Sequence, residues 1–202
     1  MMDEQIVYIV DDDEAMRDSL KWLLESRSLK VRIFASSEEF LGAFHGSLAG
    51  CMVLDVRMPG MNGLELFEQL RVRGCELPVI FITGHGDVPM AVSALKSGAA
   101  DFIEKPFNDQ EMLKLIERCM EQDRAASRKR AENTAAAQRI SSLTQREREV
   151  LDLIVAGKLN KQVADELNIS IKTVEVHRSR VMEKMAVASI AELVQLVIKT
   201  RA

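Results

Sequence analysis

The sequence predicts an α/β domain built on a five-stranded parallel sheet, followed by a small all-α domain of four helices. Three observations carry this. Five short apolar runs alternate with stretches whose apolar residues recur at helical spacing. The runs are almost continuously apolar, as in strands covered by helices on both faces. Beyond residue 122 the runs stop, only helical rhythm remains, and the charge balance reverses. Residues 1–122 hold 12 Lys+Arg against 21 Asp+Glu; residues 123–202 hold 15 against 10. An acidic first part and a basic second part point to different partners.

The first strand is Ile6-Val7-Tyr8-Ile9-Val10, ending in Asp11-Asp12-Asp13-Glu14. A helix follows with Met16, Leu20, Leu23 and Leu24 on one side. Val31–Phe34 is the second strand, and Ser36 with Glu39 fits a capping box for the helix carrying Phe40, Leu41 and Phe44. The third strand runs through Cys51-Met52-Val53-Leu54 into Asp55, and Pro59-Gly60 closes it. Asn62-Gly63 opens a helix with Leu64, Leu66, Phe67 and Leu70. Pro78–Thr83 is the fourth strand, after which Asp87 can cap a helix carrying Val88, Val92 and Leu95, with Pro89 in its first turn. Asp101–Glu104 is the fifth strand. The helix that starts near Asp109 buries Met112, Leu115, Ile116 and Cys119.

Residues 123–141 are polar and Ala-rich with no apolar stripe, which reads as a linker that is helical at least in part. The predicted domains are therefore 1–122 and 142–202, with 123–141 between them. In the second domain, Thr144 and Glu147 form a capping box before Val150, Leu151, Ile154 and Val155. A short helix spans Lys161 to Leu167, and Asn168-Ile169-Ser170 turns into a third helix, about Ile171 to Met185. A fourth, Ile190 to Lys199, carries Leu193, Val194, Val197 and Ile198. Two short helices joined by a tight turn, the second basic, form a helix-turn-helix pattern.

Composition excludes several classes. Three cysteines at wide spacing, without C-x-x-C, argue against a disulfide framework or a zinc site. No apolar run approaches the roughly 18 residues of a membrane span. No charged-then-apolar leader opens the sequence, so a cytoplasmic protein with no membrane partner is expected.

Asp55 at a strand end can be a helix cap, a metal ligand or a nucleophile. The other strand ends decide. Asp11 and Asp12 follow the first strand, Thr83 ends the fourth and Lys105 follows the fifth, so a parallel sheet sets them all on one rim. Carboxylates gathered there repel one another unless a cation is present. A hard dication that keeps several waters, Mg2+, suits such a set. Lys105 and the Thr83 hydroxyl then have a task in holding a phosphoryl group on Asp55, since carboxylates accept phosphoryl groups.

These motifs, IVDDDE, VLDVRMPGMNG, FITGHGDVPMAV and GAADFIEKPF, resemble those of bacterial two-component receiver domains. LTQREREVL and NKQVADELNISIKTVEVHRSRVMEKM resemble the LuxR/NarL helix-turn-helix. Over essentially its full length the chain looks like a response regulator of the FixJ type. The resemblance implies a flavodoxin-like strand order, 2-1-3-4-5. It implies Asp55 as phosphoacceptor for a sensor histidine kinase. It implies Mg2+ held by Asp12, Asp55 and the Arg57 carbonyl, with Asp11 acting through water. Thr83 and Lys105 would contact the phosphoryl group, and Phe102 would be the aromatic switch. Arg57 and His85 would tune phosphoryl lifetime. Lys105–Pro106 would be cis, and Asp13 would be secondary.

For double-stranded DNA, Lys161, Lys172, Arg178, Arg180 and Lys184 are candidate phosphate contacts. Glu175, Val176 and Ser179 are candidates for base edges, with burial as the alternative for Val176. His177 is expected to pack or to touch phosphate. The single Trp and single Tyr, both in the acidic half, argue against a base-stacking RNA module. Phosphorylation would pull Thr83 inward, let Phe102 fill the space, and promote a homodimer through Val92 and Lys96. Two other readings fail on particular residues. A phosphatase of the haloacid-dehalogenase kind needs an acid two residues after its nucleophile, where Arg57 stands. A protein-interaction module does not need so basic a third helix.

Overall fold

The computed structural model describes residues 4–44, 46, 48–84 and 88–201. The chain divides into two compact units, Met1–Ser127 and Arg128–Ala202.

In the first unit, β1 (Ile6–Val10), β2 (Val31–Phe34), β3 (Gly50–Asp55), β4 (Val79–Thr83) and β5 (Asp101–Glu104) pair in parallel, in the order β2-β1-β3-β4-β5. Side chains alternate across the sheet with a period of two. Tyr8, Val10, Met52, Leu54, Val79 and Phe81 enter one core with Phe40, Leu66, Phe67 and Leu70. Val7, Ile9, Cys51, Val53, Ile80 and Ile82 enter the other with Leu20, Leu24, Met112 and Ile116. Helices α2 (Ser37–Ala43), α3 (Gly63–Val72) and α4 (Val88–Lys96) therefore cover one face. Helix α1 (Glu14–Glu25) and the first part of α5 (Asp109–Ser141) cover the other. Cys51 and Cys119 lie inside this second core, and burial pushes both thiols up, Cys119 to about 11. They pack as small apolar groups.

Local chemistry sets the helix starts. Asp13 caps α1 by accepting from the Ala15 N–H at 2.9 Å. Ser36 caps α2, but the return bond from Glu39 reaches the Ala35 N–H rather than that of Ser36. Asn62 and Glu65 complete a capping box on α3. The cap read at Asp87 lies outside the described residues. On α4 the apolar reading needs correction. Val92 and Leu95 are exposed, and the helix packs through Met90 and Ala94, one turn apart.

Helix α5 runs unbroken for 33 residues, through the stretch that reads as a linker. Asp123 is buried and accepts from the Gly50 N–H at 2.8 Å. Ala136 is buried, and Ile140 packs against the core of the second unit. One Ala and one Ile four residues apart are too short a stripe to stand out in the sequence.

The second unit packs α6 (Gln145–Val155), α7 (Asn160–Leu167), α8 (Ile171–Met185) and α9 (Ile190–Arg201) around Val150, Leu151, Ile154, Val163, Val174, Val181, Met185, Leu193 and Val197. Ile198, grouped with the α9 stripe in the sequence, is exposed. Asn168 takes the left-handed conformation (φ 55°) that ends α7, and Ser170 caps α8 two residues later. Among the described residues no helix is long and apolar enough to cross a membrane.

Candidate functional site

Register builds the acidic site. Val10 pairs with Leu54, so Asp11 and Asp55 leave neighbouring strands side by side. The ladder continues past the strand ends, with Val56 N–H donating to Ile82 and Lys105 N–H to the Thr83 carbonyl. That second bond sets Lys105 on the same rim, across a cis Lys105–Pro106 peptide. Its Nζ lies 2.9 Å from Asp11 Oδ2 and 2.8 Å from Asp55 Oδ1. The Arg57 N–H donates to Asp55 Oδ2 at 2.8 Å. Asp11, Asp55 and Thr83 are all buried, and the Thr83 hydroxyl donates to the Gly84 carbonyl. Phe102, half-buried on β5, packs against the core one strand away.

One lysine serves two carboxylates. Burial raises the Asp55 carboxyl above its ordinary range; the hydrogen bond and charge of Lys105 and the Arg57 N–H oppose the rise, while Asp11 adds to it. Burial also works against charge on Lys105, but its bonds to Asp55 and Asp11 outweigh this and hold it above its ordinary value. The pair is left with one negative charge in excess, in a place where water solvates it poorly.

The expected trio of carboxylates is only partly assembled. Asp11 and Asp55 meet, while Asp12 is exposed on the rim. Among the described residues no three His, Cys, Asp or Glu side chains gather as a metal cluster. Lys105 balances a single charge, so a third carboxylate stays where water can reach it. The donors nonetheless fit a small hard dication: two buried carboxylates short of positive charge, a solvated third, and the backbone that follows Asp55. Asp13, set aside as secondary, is the α1 cap. His85 lies outside the described residues.

Two residues hold this loop, Gly63, which the sequence places at a helix start, and Glu38, which it does not single out. A Cβ on Gly63 would sit 2.1 Å from the Asp55 carbonyl oxygen, so only glycine lets α3 begin this close to the strand end. Glu38 of α2 accepts from the Met61 N–H at 2.9 Å and lies against Gly60, whose φ is +74°. The Asn-Gly pair signals the first; nothing local signals the second.

On α8, Lys172, Glu175, Val176, Ser179 and Arg180 are exposed and Arg178 is half-buried; Lys161 on α7 is exposed. Val176 is 45% exposed, which settles its alternative. Lys172, Val176 and Ser179 follow one another at helical spacing along one face. His177 packs, with Nδ1 buried and unpartnered. Lys184 departs from expectation. Its Nζ lies 2.6 Å from Oε2 of Glu147, a buried carboxylate 37 residues away.

Two family models match the chain. The response regulator receiver domain covers residues 7–117, and the luxR family of bacterial regulatory proteins covers residues 141–197. The chain belongs to the response regulators that join these two domains. It is 45% identical over 193 residues to the transcriptional regulatory protein FixJ of Bradyrhizobium diazoefficiens, covering 96% of this chain and 94% of that protein. It is 45% identical over 198 residues to the response regulator TodT of Pseudomonas putida, covering 95% and 84%. Among solved structures, the response regulator StyR superposes with a TM-score of 0.89 at 44% identity, covering 97% of this chain and 99% of that one. Full-length FixJ from B. japonicum superposes at 0.62 and 43%, covering 98% of each. The protein is thus a transcriptional response regulator with a receiver and a helix-turn-helix DNA-binding domain, not an enzyme. Receivers generally use Mg2+ at the phosphorylation site, and this domain pair implies a histidine kinase and DNA as partners.

Proposed function

We propose that Asp55 accepts the phosphoryl group and that the modified receiver governs DNA binding by α8. The observation that carries this reading is the Lys105 ammonium bridging Asp11 and Asp55 at 2.9 and 2.8 Å. An Asp55 oxygen attacks the phosphorus of the kinase phosphohistidine; the P–O bond forms, the P–N bond breaks, and the leaving imidazole takes up a proton. Lys105 then turns from the carboxylate to a phosphoryl oxygen, and the Thr83 hydroxyl reaches another. Asp12, Asp55 and the Arg57 carbonyl would hold Mg2+, with Asp11 acting through water, and the bound metal would supply charge neutralisation to the transferring oxygens.

Downstream, Thr83 moves inward and Phe102 fills the space it leaves. Arg57 and His85 set the lifetime of the phosphoryl group. The exposed Val92 and Lys96 of α4 meet their counterparts in a homodimer. Two recognition helices then address half-sites about one DNA turn apart. Lys161, Lys172, Arg178 and Arg180 contact phosphates, while Glu175, Val176 and Ser179 face base edges. Residues 1–122 act as the receiver, 123–141 as the connecting helix and 142–202 as the output domain, in the cytoplasm. The test is incorporation of labelled phosphate from acetyl phosphate with Mg2+. Incorporation should be acid-stable and base-labile, lost in Asp55→Asn, and accompanied by dimerisation in sedimentation. Label retained in Asp55→Asn would overturn the assignment.

A further inference from the structure

The helix-turn-helix is held from outside by two adjacent residues in the first turn of α6. Arg146 sends its guanidinium to the Leu167 carbonyl at the end of α7. Glu147 faces the last turn of α8. One oxygen of Glu147, Oε2, accepts both the Thr144 N–H at 2.9 Å and the Lys184 ammonium at 2.6 Å. Glu147 is 2% exposed, so its charge is fixed in place by those two donors. Its carboxyl is driven down to about 2 by the Lys184 bond and then the Thr144 N–H, so Glu147 is ionised throughout the physiological range. The end of α8 is tied once more, where Arg139 donates to the Met185 carbonyl. The Arg146, Lys184 and Arg139 bonds each reach the last turn of a helix of the helix-turn-helix, and none uses the face that carries Lys172, Val176 and Ser179.

We propose that Glu147 and Lys184 are positioning residues for DNA recognition. Lys184 does not contact phosphate; it fixes the depth and rotation of α8, and Glu147 is its anchor. Charge-paired at 2.6 Å to a buried group, the Lys184 ammonium cannot move to a phosphate without leaving a buried carboxylate unpaired, which is costly. A rotation of α8 misplaces every base-facing side chain at once but leaves diffuse attraction to phosphates intact. The signature is therefore a loss of discrimination, not of affinity in general. This inference rests on the reading of α8 as the DNA-recognition helix.

The informative variant is Glu147→Gln, because glutamine still accepts the Thr144 N–H and keeps the capping box. The full chain, activated with beryllofluoride and Mg2+, is titrated against two probes over a range of salt. One is a duplex selected by the wild-type protein from a random-sequence pool, the other a scrambled duplex of equal length and composition. Positioning predicts that the ratio of selected to scrambled affinity falls about five- to twenty-fold, the loss of one or two base contacts. It also predicts an unchanged slope of log affinity against log salt. Lys184→Met should give the same lowered ratio and the same slope. The double variant, which leaves no unpaired buried charge, should be no worse than either single change. Glu147→Gln raising affinity for both duplexes, as a freed ammonium would, overturns the proposal. So does Lys184→Met flattening the salt slope by about one phosphate's worth, or additive losses in the double variant. A wild-type protein that selects no duplex overturns the underlying DNA-binding reading, an outcome distinct from these.

Discussion

Asp55 and Glu147 are both buried carboxylates with a lysine within 2.8 Å, and their acidities move in opposite directions. Asp55 is raised and Glu147 falls to about 2. Burial is the largest cause of the Asp55 rise, while the Lys184 bond is the largest cause of the Glu147 fall, and the two lysines also differ in how they are shared. Among the described residues Lys184 pairs with Glu147 alone, and the Thr144 N–H bonds the same carboxylate oxygen. Lys105 is shared between Asp55 and Asp11, and the Asp11 charge adds to the cost of burial. The output domain satisfies its carboxylate and gains a fixed strut. The receiver leaves its carboxylate short of positive charge, which makes it a place where a cation and a phosphoryl group can be received.

The largest test of this contrast removes the shared lysine. Lys105→Met should slow phosphoryl incorporation from acetyl phosphate about 100-fold, the usual loss when one stabiliser of transferring charge is deleted. The receiver should stay folded, because Lys105 belongs to neither of its two apolar cores. A rate within about three-fold of wild type, measured with labelled acetyl phosphate, would mean that Lys105 serves only the fold.

Glu147→Ala comes next. It deletes the return bond of a capping box and the partner of a charged lysine, together about 2–3 kcal/mol. Hydrogen exchange read peptide by peptide should show the loss in residues 128–202 and none in the receiver. Equal protection in wild type and variant would make Glu147 a spectator and remove the contrast with Asp55.

Acid sharpens the contrast, since the two groups respond with opposite sign. The folded value of Glu147, about 2, lies below its ordinary 4.5. Its stabilisation is present above about 4.5 and is lost as pH falls toward 2. The folded value of Asp55 lies above its ordinary 3.8, so the ionised form opposes folding at neutral pH. That cost is relieved as pH falls through the raised value. Urea midpoints from pH 7 to 3 should therefore show Asp55→Asn more stable than wild type at neutral pH, the gap closing on acidification. Glu147→Gln should be less stable, its gap closing only below about 4.5. Parallel curves for the two variants would contradict the opposite shifts.

What could be seen in the sequence follows the range of the interaction that determines it. Asn62 with Glu65, Thr144 with Glu147, and Ser170 all act within three residues, and each forms the cap its spacing announces. The five strands, with side chains alternating at a period of two, were equally local, and the strand order came through the family motifs. The Lys184–Glu147 bond spans 37 residues and the Asp123–Gly50 bond 73, and no spacing rule reaches that far. Lys184 therefore looked like any cation on a basic helix. On α4, apolar spacing alone did not say which side packs: Val92 and Leu95 are exposed, while Met90 and Ala94 meet the core. Among the site residues, Asp11, Asp55, Thr83 and Lys105 were legible because strand ends line up in a parallel sheet. Glu38 was not, because it reaches the loop from a different helix.

The smallest expected effect separates the three aspartates that follow β1. Asp11 belongs to the buried pair, Asp13 caps α1, and Asp12 is exposed between them. The cap is worth about 1 kcal/mol, so Asp13→Ala should lower the urea stability of the receiver by that amount and leave phosphorylation intact. Asp12→Ala should do the reverse. A solvated carboxylate contributes little to the fold, but its loss removes a hard oxygen donor from the rim and should weaken Mg2+ binding at least ten-fold, read by metal titration. If Asp12→Ala binds Mg2+ as wild type does, the metal is held by the Asp11–Asp55 pair alone. The charge deficit around Asp55 would then be met without the rim, and the contrast with Glu147 would reduce to the single shared lysine.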